Sequence, residues 1–310
     1  MADGSEVMTQ GSDARRGRGS SEAPESGRRS SEESGGGILY VVATPIGNLS
    51  DITQRAVEVL RSAHLIACED TRKSRTLLQR RQISTEVMSL HKFSEARKTQ
   101  AILERLERGE NVALISDAGT PALSDPGTML VRAARVSGYR VTPIPGASAI
   151  TAALSVSGMD ASSFVYLGFA PRKDDQRARF FNEILLEDRT CIFFESPKRL
   201  TDSLRVAARI LGGTHMVVMR ELTKIHEEML HGSASEILGF LEMRESVRGE
   251  IIVVVEGSVR QADSVDLERA VETLMQEGFT GKKLADEARR RYGVRKSDAY
   301  DKFLELKNAT

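Results

Sequence analysis

Three loops hold residues whose types and spacing suit ligand binding: ATPIGNLSDIT (43–53), SDAGTPALSDPG (116–127) and PIPGASA (143–149). Glycine lets a backbone approach a ligand closely, while Ser, Thr and Asp offer hydrogen bonds. None of them reads GxGxxG or GxxxxGK followed by Ser or Thr. Dinucleotide-dependent redox chemistry and P-loop phosphate chemistry are therefore disfavoured. A second polar group falls where later apolar runs end: Glu195, Ser196 and Arg199, then Arg220 to Lys224 with His226, Glu227 and Glu228. Carboxylates and cations so placed can move protons or hold anions. The plainer account makes the loops ordinary turns, the His-Glu-Glu run a solvated face, and Arg220–Glu221 a pair that holds a strand end.

The elements that must position these residues alternate along the chain. Apolar runs begin at Ile38, Leu65, Val87, Val112 and Tyr139, and between them recur helical patterns such as Ile52, Ala56, Val59 and Leu60. Strands alternating with helices imply an α/β domain with a mainly parallel sheet. Each Gly/Pro loop follows the carboxyl end of one of its strands, the edge where open parallel sheets bind ligands. Past Gly158 the pattern restarts, with strands expected near 164–168, 191–194, 216–219 and 251–255 and helices near 174–186, 197–211 and 233–244. The chain divides into residues 1–37, 38–157, 158–260 and 264–310.

Lys+Arg and Asp+Glu each number 44, so the net charge is zero and a uniformly basic nucleic-acid glove is excluded. Residues 1–37 hold 16 Gly or Ser, seven acids and five arginines with almost nothing apolar, which reads as a disordered tail. Its arginine stretch at 15–18 is the alternative there, as an arm that touches RNA. The tail lacks the apolar stretch of a signal peptide, and no run approaches membrane-spanning length. Cys68 and Cys191 stand far apart with no CxxC or Cys/His spacing, so neither a disulfide nor a zinc site is expected. A soluble, cytoplasmic protein without a metal follows.

The motifs LYVVATPIGNLSDIT, LIACEDTRKSRTLL, LISDAGTPALSDPG, PIPGASA, FFESPKRL, VVMRELTKIHEE and RGEIIVVVEG together resemble the tetrapyrrole methylase superfamily. Within it, they look like the ribosomal RNA small subunit methyltransferase I family. The resemblance spans roughly Gly37 to Gly257. It implies two α/β domains with a cleft between them, S-adenosylmethionine as methyl donor, and a homodimer. It also implies 2′-O-methylation of a cytidine near the decoding site of 16S rRNA in the small ribosomal subunit. Corrin and porphyrin enzymes of the superfamily usually carry a first loop of GxGxGDxxxLT type, which TPIGNLSDIT is not. A tetrapyrrole substrate stays open as an alternative, as does a non-catalytic RNA-binding assembly factor.

On that resemblance, Pro45, Asp117, Gly119, Thr120, Gly146, Ala147 and Ser148 are expected in the donor pocket, with amides after Pro145 receiving a carboxylate if they open a helix. Arg199 and Lys224 are expected on RNA phosphate or ribose, and Glu221 or Glu227 as acceptor for the 2′-hydroxyl proton.

Residues 264–310 read as three helices around a turn at Gly293-Val294, resembling a helix-turn-helix. Its ten bases against nine acids are clustered rather than in excess. Lys282, Lys283, Arg289, Arg290, Arg291, Arg295 and Lys296 are the expected phosphate contacts. The alternative is a small packing domain with solvated arginines.

Overall fold

The computed structural model describes residues 35–91, 95–257, 267–292, 294 and 296–309. The expected tail, apart from 35–37, the turn residue Gly293, Arg295 and the boundaries at 260 and 264 lie outside the described residues, as does the Arg290 side chain.

The first sheet is parallel throughout, in the order β3-β2-β4-β1-β5. Its strands are β1 (Ile38–Val42), β2 (Leu65–Cys68), β3 (Val87–Ser89), β4 (Val112–Ile115) and β5 (Arg140–Ile144). Every residue of β2 and β4 is buried, as expected of strands covered on both faces. Side chains alternate between faces, so Ala113 and Ile115 join a cluster with Ala56, Leu60, Leu77 and Leu78. These belong to helices α1 (Gln54–Ser62) and α2 (Thr71–Arg80). Val112 and Leu114 face the opposite cluster, with Ile102 and Leu106 of α3 (Glu95–Glu107) and Leu130 and Ala134 of α4 (Thr128–Val136).

The second sheet is mixed, in the order β6-β7-β10-β8-β9. It comprises β6 (Phe164–Phe169), β7 (Thr190–Glu195), β8 (Met216–Arg220), β9 (Glu228–Gly232) and β10 (Ile251–Val255). β6 and β7 are parallel, whereas β10 runs antiparallel to both β7 and β8, and β9 antiparallel to β8. Strand β9 was not foreseen. It holds the last residue of the His-Glu-Glu run, whose Glu228 is drawn into the sheet by pairing with Arg220 at 3.0 Å and Arg244 at 2.6 Å. Arg220 therefore pairs with Glu228 and not with Glu221.

Helix α5 (Ala149–Val156) leaves the first sheet and packs Ile150, Ala153 and Leu154 on Ile192, Val217, Met219, Ile252 and Val254 of the second. The other face carries α6 (Asp174–Leu185), α7 (Leu200–Leu211) and α8 (Ala234–Glu242). Helices α9 (Leu267–Gln276), α10 (Gly281–Tyr292) and α11 (Lys296–Ala309) enclose a separate small core of Val271, Leu274, Leu284, Ala288, Val294 and Phe303. Among the described residues, no helix is long and apolar enough to cross a membrane.

Candidate functional site

The first two loops are locked to each other. Thr44 and Gly119 exchange backbone hydrogen bonds of 2.9 and 3.0 Å, and the Thr44 hydroxyl reaches the Ser116 carbonyl at 3.3 Å. Gly119 holds a left-handed φ of +74°, and a Cβ there would stand 3.3 Å from Ile46 and face Ala147. The third loop joins through Thr120, whose hydroxyl approaches the Ala147 carbonyl at 3.5 Å. It ends at Ser148, which opens helix α5.

The buried Glu95 fixes the end of the second loop. Its Oε1 accepts from the amides of Gly127 and Met129 at 3.0 Å and of Leu130 at 3.3 Å. A carboxylate here satisfies orphan donors at the start of α4 and complements its dipole.

From the second sheet, the turn after β8 closes over the first loop. Asn48 donates its amide to the Thr223 hydroxyl at 3.1 Å. Gly47 lies so close that a Cβ would come within 2.6 Å of the Leu222 carbonyl, Thr223 Oγ1 and Lys224 Cγ. Glu221 and Thr223 in this turn, like Ala122 and Ser124 in the second loop, are non-glycine residues with φ between +56° and +67°. Such conformations cost about 1–3 kcal/mol and persist where surrounding contacts over-determine them.

Between the two sheets lies a cavity of about 290 Å³. That is the lower end of the range of roughly 300–1,000 Å³ that holds small ligands. Of the residues expected at the donor, Gly119, Thr120 and Ser148 line it, with Ile46, Phe169 and Leu222 as apolar walls. Tyr166 reaches across to Ser124, with the two hydroxyls 2.6 Å apart.

Pro45, Asp117, Gly146 and Ala147 stand outside this lining. Pro45 is buried within the first loop, and Gly146 packs beside Ala43. Asp117 turns away, accepting from the Asp70 amide at 3.0 Å and from Lys73 Nζ at 2.8 Å.

The carboxylates proposed for chemistry are otherwise engaged. Glu221 receives Lys224 Nζ at 2.8 Å and the Glu250 amide at 2.9 Å, and the Lys224 ammonium holds its carboxyl below the ordinary range. Glu227 caps its own turn by accepting from the Thr223 amide. Arg199 is bound to the fully buried Glu195 at 2.7 Å and to the Ala170 carbonyl at 3.1 Å. His226 is exposed.

Asp125 was not singled out from the sequence. It lines the cavity and has no salt-bridge partner among the described residues, whereas the other cavity carboxylates, Glu195 and Glu250, are tied to Arg199 and Lys224. Burial pushes its carboxyl up to about 6, with the Glu69 and Asp117 charges adding to the effect. Its signal was its place in SDAGTPALSDPG, five residues after Thr120. Cys68 and Cys191 are buried, and burial pushes both thiols up, the second to about 12, so neither suits nucleophilic chemistry.

In the C-terminal helices, Lys282 and Lys283 are exposed. Arg289 donates to the Leu186 carbonyl and stands 3.9 Å from Asp188, fastening these helices to the turn before β7. Arg291 bridges Glu277 and Glu287, and Lys296 meets Asp286.

Residues 38–238 match the family described as Tetrapyrrole (Corrin/Porphyrin) Methylases. The chain is 43% identical over 273 residues to a protein of Escherichia coli O157:H7 named ribosomal RNA small subunit methyltransferase I, covering 87% of this chain and 95% of that one. A protein of the same name from Halalkalibacterium halodurans is 39% identical, over 86% of this chain and 94% of its own. Among solved structures, the fold is similar to a diphthine synthase, with TM-score 0.55 and 14% identity over 71% of this chain and 89% of that one. It is also similar to cobalt precorrin-4 methyltransferase, with TM-score 0.54 and 14% identity over 71% and 94%.

Proposed function

The chain belongs to the tetrapyrrole methylase family and, within it, to the ribosomal RNA small subunit methyltransferase I group, and from that premise we propose that it methylates small-subunit ribosomal RNA in the cavity between its two sheets. The enzyme is an S-adenosylmethionine-dependent methyltransferase acting on 16S rRNA. The target is the ribose 2′-hydroxyl of a cytidine near the decoding site. The observation that carries the reading is the cavity itself, in which all three Gly/Pro loops meet beside the carboxylate of Asp125.

The residues present fit the donor. Hydrogen there in place of a Cβ at Gly119 leaves room beside Ile46, apolar walls suit an adenosine, and the first turn of α5 can receive a carboxylate. Gly119, Thr120 and Ser148 would hold it, with the Thr44–Gly119 bridge keeping the loop backbones in place. When bound, it supplies an electrophilic methyl group on a sulfonium.

The chain's own task is then to orient the ribose and to remove a weakly acidic proton. Asp125 accepts that proton at a carboxylate oxygen and returns it to water after turnover. A carboxyl with its pKa near 6 is mostly ionised at neutral pH yet more basic than an ordinary aspartate. The network of Lys224, Glu221 and Glu250 positions the turn that carries Leu222 into the cavity wall. The hydrogen bond between the Tyr166 and Ser124 hydroxyls ties the second loop to strand β6.

We read residues 38–157 and 158–260 as the two methyltransferase domains and 264–310 as an RNA-contacting unit, led by Lys282 and Lys283. The active form is a homodimer in the cytoplasm. The test is transfer of labelled methyl from the donor to unmodified small subunits, free 16S rRNA and a porphyrin. Label on either RNA form supports the reading, and label on the porphyrin alone overturns it.

A further inference from the structure

A groove distinct from the methyl-transfer cavity runs beside helix α1. It has a volume of about 540 Å³ and is lined by Arg61 of α1, Arg80 and Arg81 at the end of α2, and the amides Gln54 and Gln82. None of the three arginines has a carboxylate partner among the described residues. Glu58 of α1 accepts from Gln54 at 2.9 Å. Three guanidinium groups in one concavity repel one another, and an anion relieves that repulsion.

One further observation points to a ligand. Arg81 Nε is buried with no hydrogen-bond partner, an orphaned charged donor that costs free energy unless an acceptor reaches it. Gln82, one residue past the C-cap of α2, takes the left-handed φ of +53° that closes the helix, its amide donating to the Gln79 carbonyl at 3.1 Å and that of Ile83 to the Leu78 carbonyl at 2.9 Å, which fixes the turn after Arg80 and Arg81. The remaining bonds hold the arginines in place: Arg61 donates to the Arg81 carbonyl at 2.7 Å, and Arg81 donates to the Leu49 carbonyl within the first cavity loop.

We propose that this groove binds backbone phosphate of the RNA substrate, through Arg61, Arg80 and Arg81, beside the loop that shapes the methyl-transfer cavity. Guanidinium groups match phosphate oxygens in paired hydrogen bonds. The groove offers only Ile52 and Val57 as apolar lining and no aromatic side chain, so it suits a phosphodiester and not a base. This inference rests on the reading of the chain as an RNA methyltransferase.

The test compares wild type, Arg61→Gln/Arg80→Gln and Arg61→Lys/Arg80→Lys on unmodified small ribosomal subunits. Arg81 is kept because it supports the first loop. The Gln pair is expected to raise the KM for subunits about ten-fold, with a far smaller effect on kcat and the same donor affinity. It should also reduce the slope of log K against log salt by about 1.5, as two lost phosphate contacts require. The Lys pair, which keeps the charges, should retain the slope and shows that the groove still folds. An active Gln pair with wild-type KM and salt slope overturns the groove. A wild type that transfers no methyl group to RNA overturns the underlying reading, and the groove as an RNA site with it.

Discussion

Replacing Asp125 by Asn removes the one cavity carboxylate without a salt bridge among the described residues while keeping its size and shape. A positioned base contributes about 10²–10⁴ in rate, so single-turnover methylation with saturating donor should fall at least about 100-fold. Burial raises this carboxyl from 3.8 to about 6. In wild type the rate should therefore fall through a midpoint near 6 as the solution is acidified. One pH unit below that midpoint, about a tenth of the molecules retain the charged base. The Asn variant should show a flat residual rate. Stability moves the other way. A carboxyl whose folded pKa lies above its unfolded value is costly when ionised, so wild type gains stability as pH falls from above 6 towards 3.8. Discounted for solvent screening at this partly exposed group, the Asn variant should be more stable than wild type at pH 7.5 by about 1 kcal/mol. A stopped-time rate series from pH 5 to 8, beside urea unfolding of both proteins, reads all of this. A variant within three-fold of wild type, or a wild-type rate flat from pH 5 to 8, would refute the assignment.

Three other outcomes are expected. Glu95→Ala orphans three amide donors at the start of α4 and should lower stability by about 2–4 kcal/mol in urea unfolding, with weaker donor binding because the second loop loses its anchor. Gly47→Ala puts a methyl group against the turn after β8; calorimetric titration should show donor affinity down about ten-fold while the separate C-terminal core is untouched. Truncation after Gly257 removes helices with a core of their own, so donor affinity should persist while methylation of assembled subunits falls at least ten-fold, measured as initial rates.

The strands of the first sheet were legible because a strand buried on both faces is a continuous apolar run, and Val112–Ile115 is buried at every position. Strand β9 was not, since EMLHG alternates half-buried and exposed residues and begins with a charged Glu228 whose partners are Arg220 and Arg244. The segment Arg72 to Arg81 is rich in bases, yet Ser74, Leu77 and Leu78 give it a buried helical face. In the site, the three loops announced themselves by composition. Which acid does chemistry depended on pairing and burial between distant positions. Asp117 spends its charge on Lys73, Glu221 on Lys224, and Asp125 is left in the cavity with Glu69 and Asp117 nearby. Similarly, Arg289 looked like a phosphate contact until Asp188 and the Leu186 carbonyl met it from a separate part of the fold.

Label transfer followed by alkaline hydrolysis tests most directly whether the ribose oxygen of small-subunit RNA is the acceptor. Small subunits are incubated with donor carrying a labelled methyl group, and their RNA is then hydrolysed in alkali. A 2′-O-methyl group blocks cleavage at its own phosphodiester, so the label is expected in one alkali-stable dinucleotide that begins with cytidine. Label in alkali-labile mononucleotides, which places the methyl group on a base, or no label in RNA at all, would contradict it.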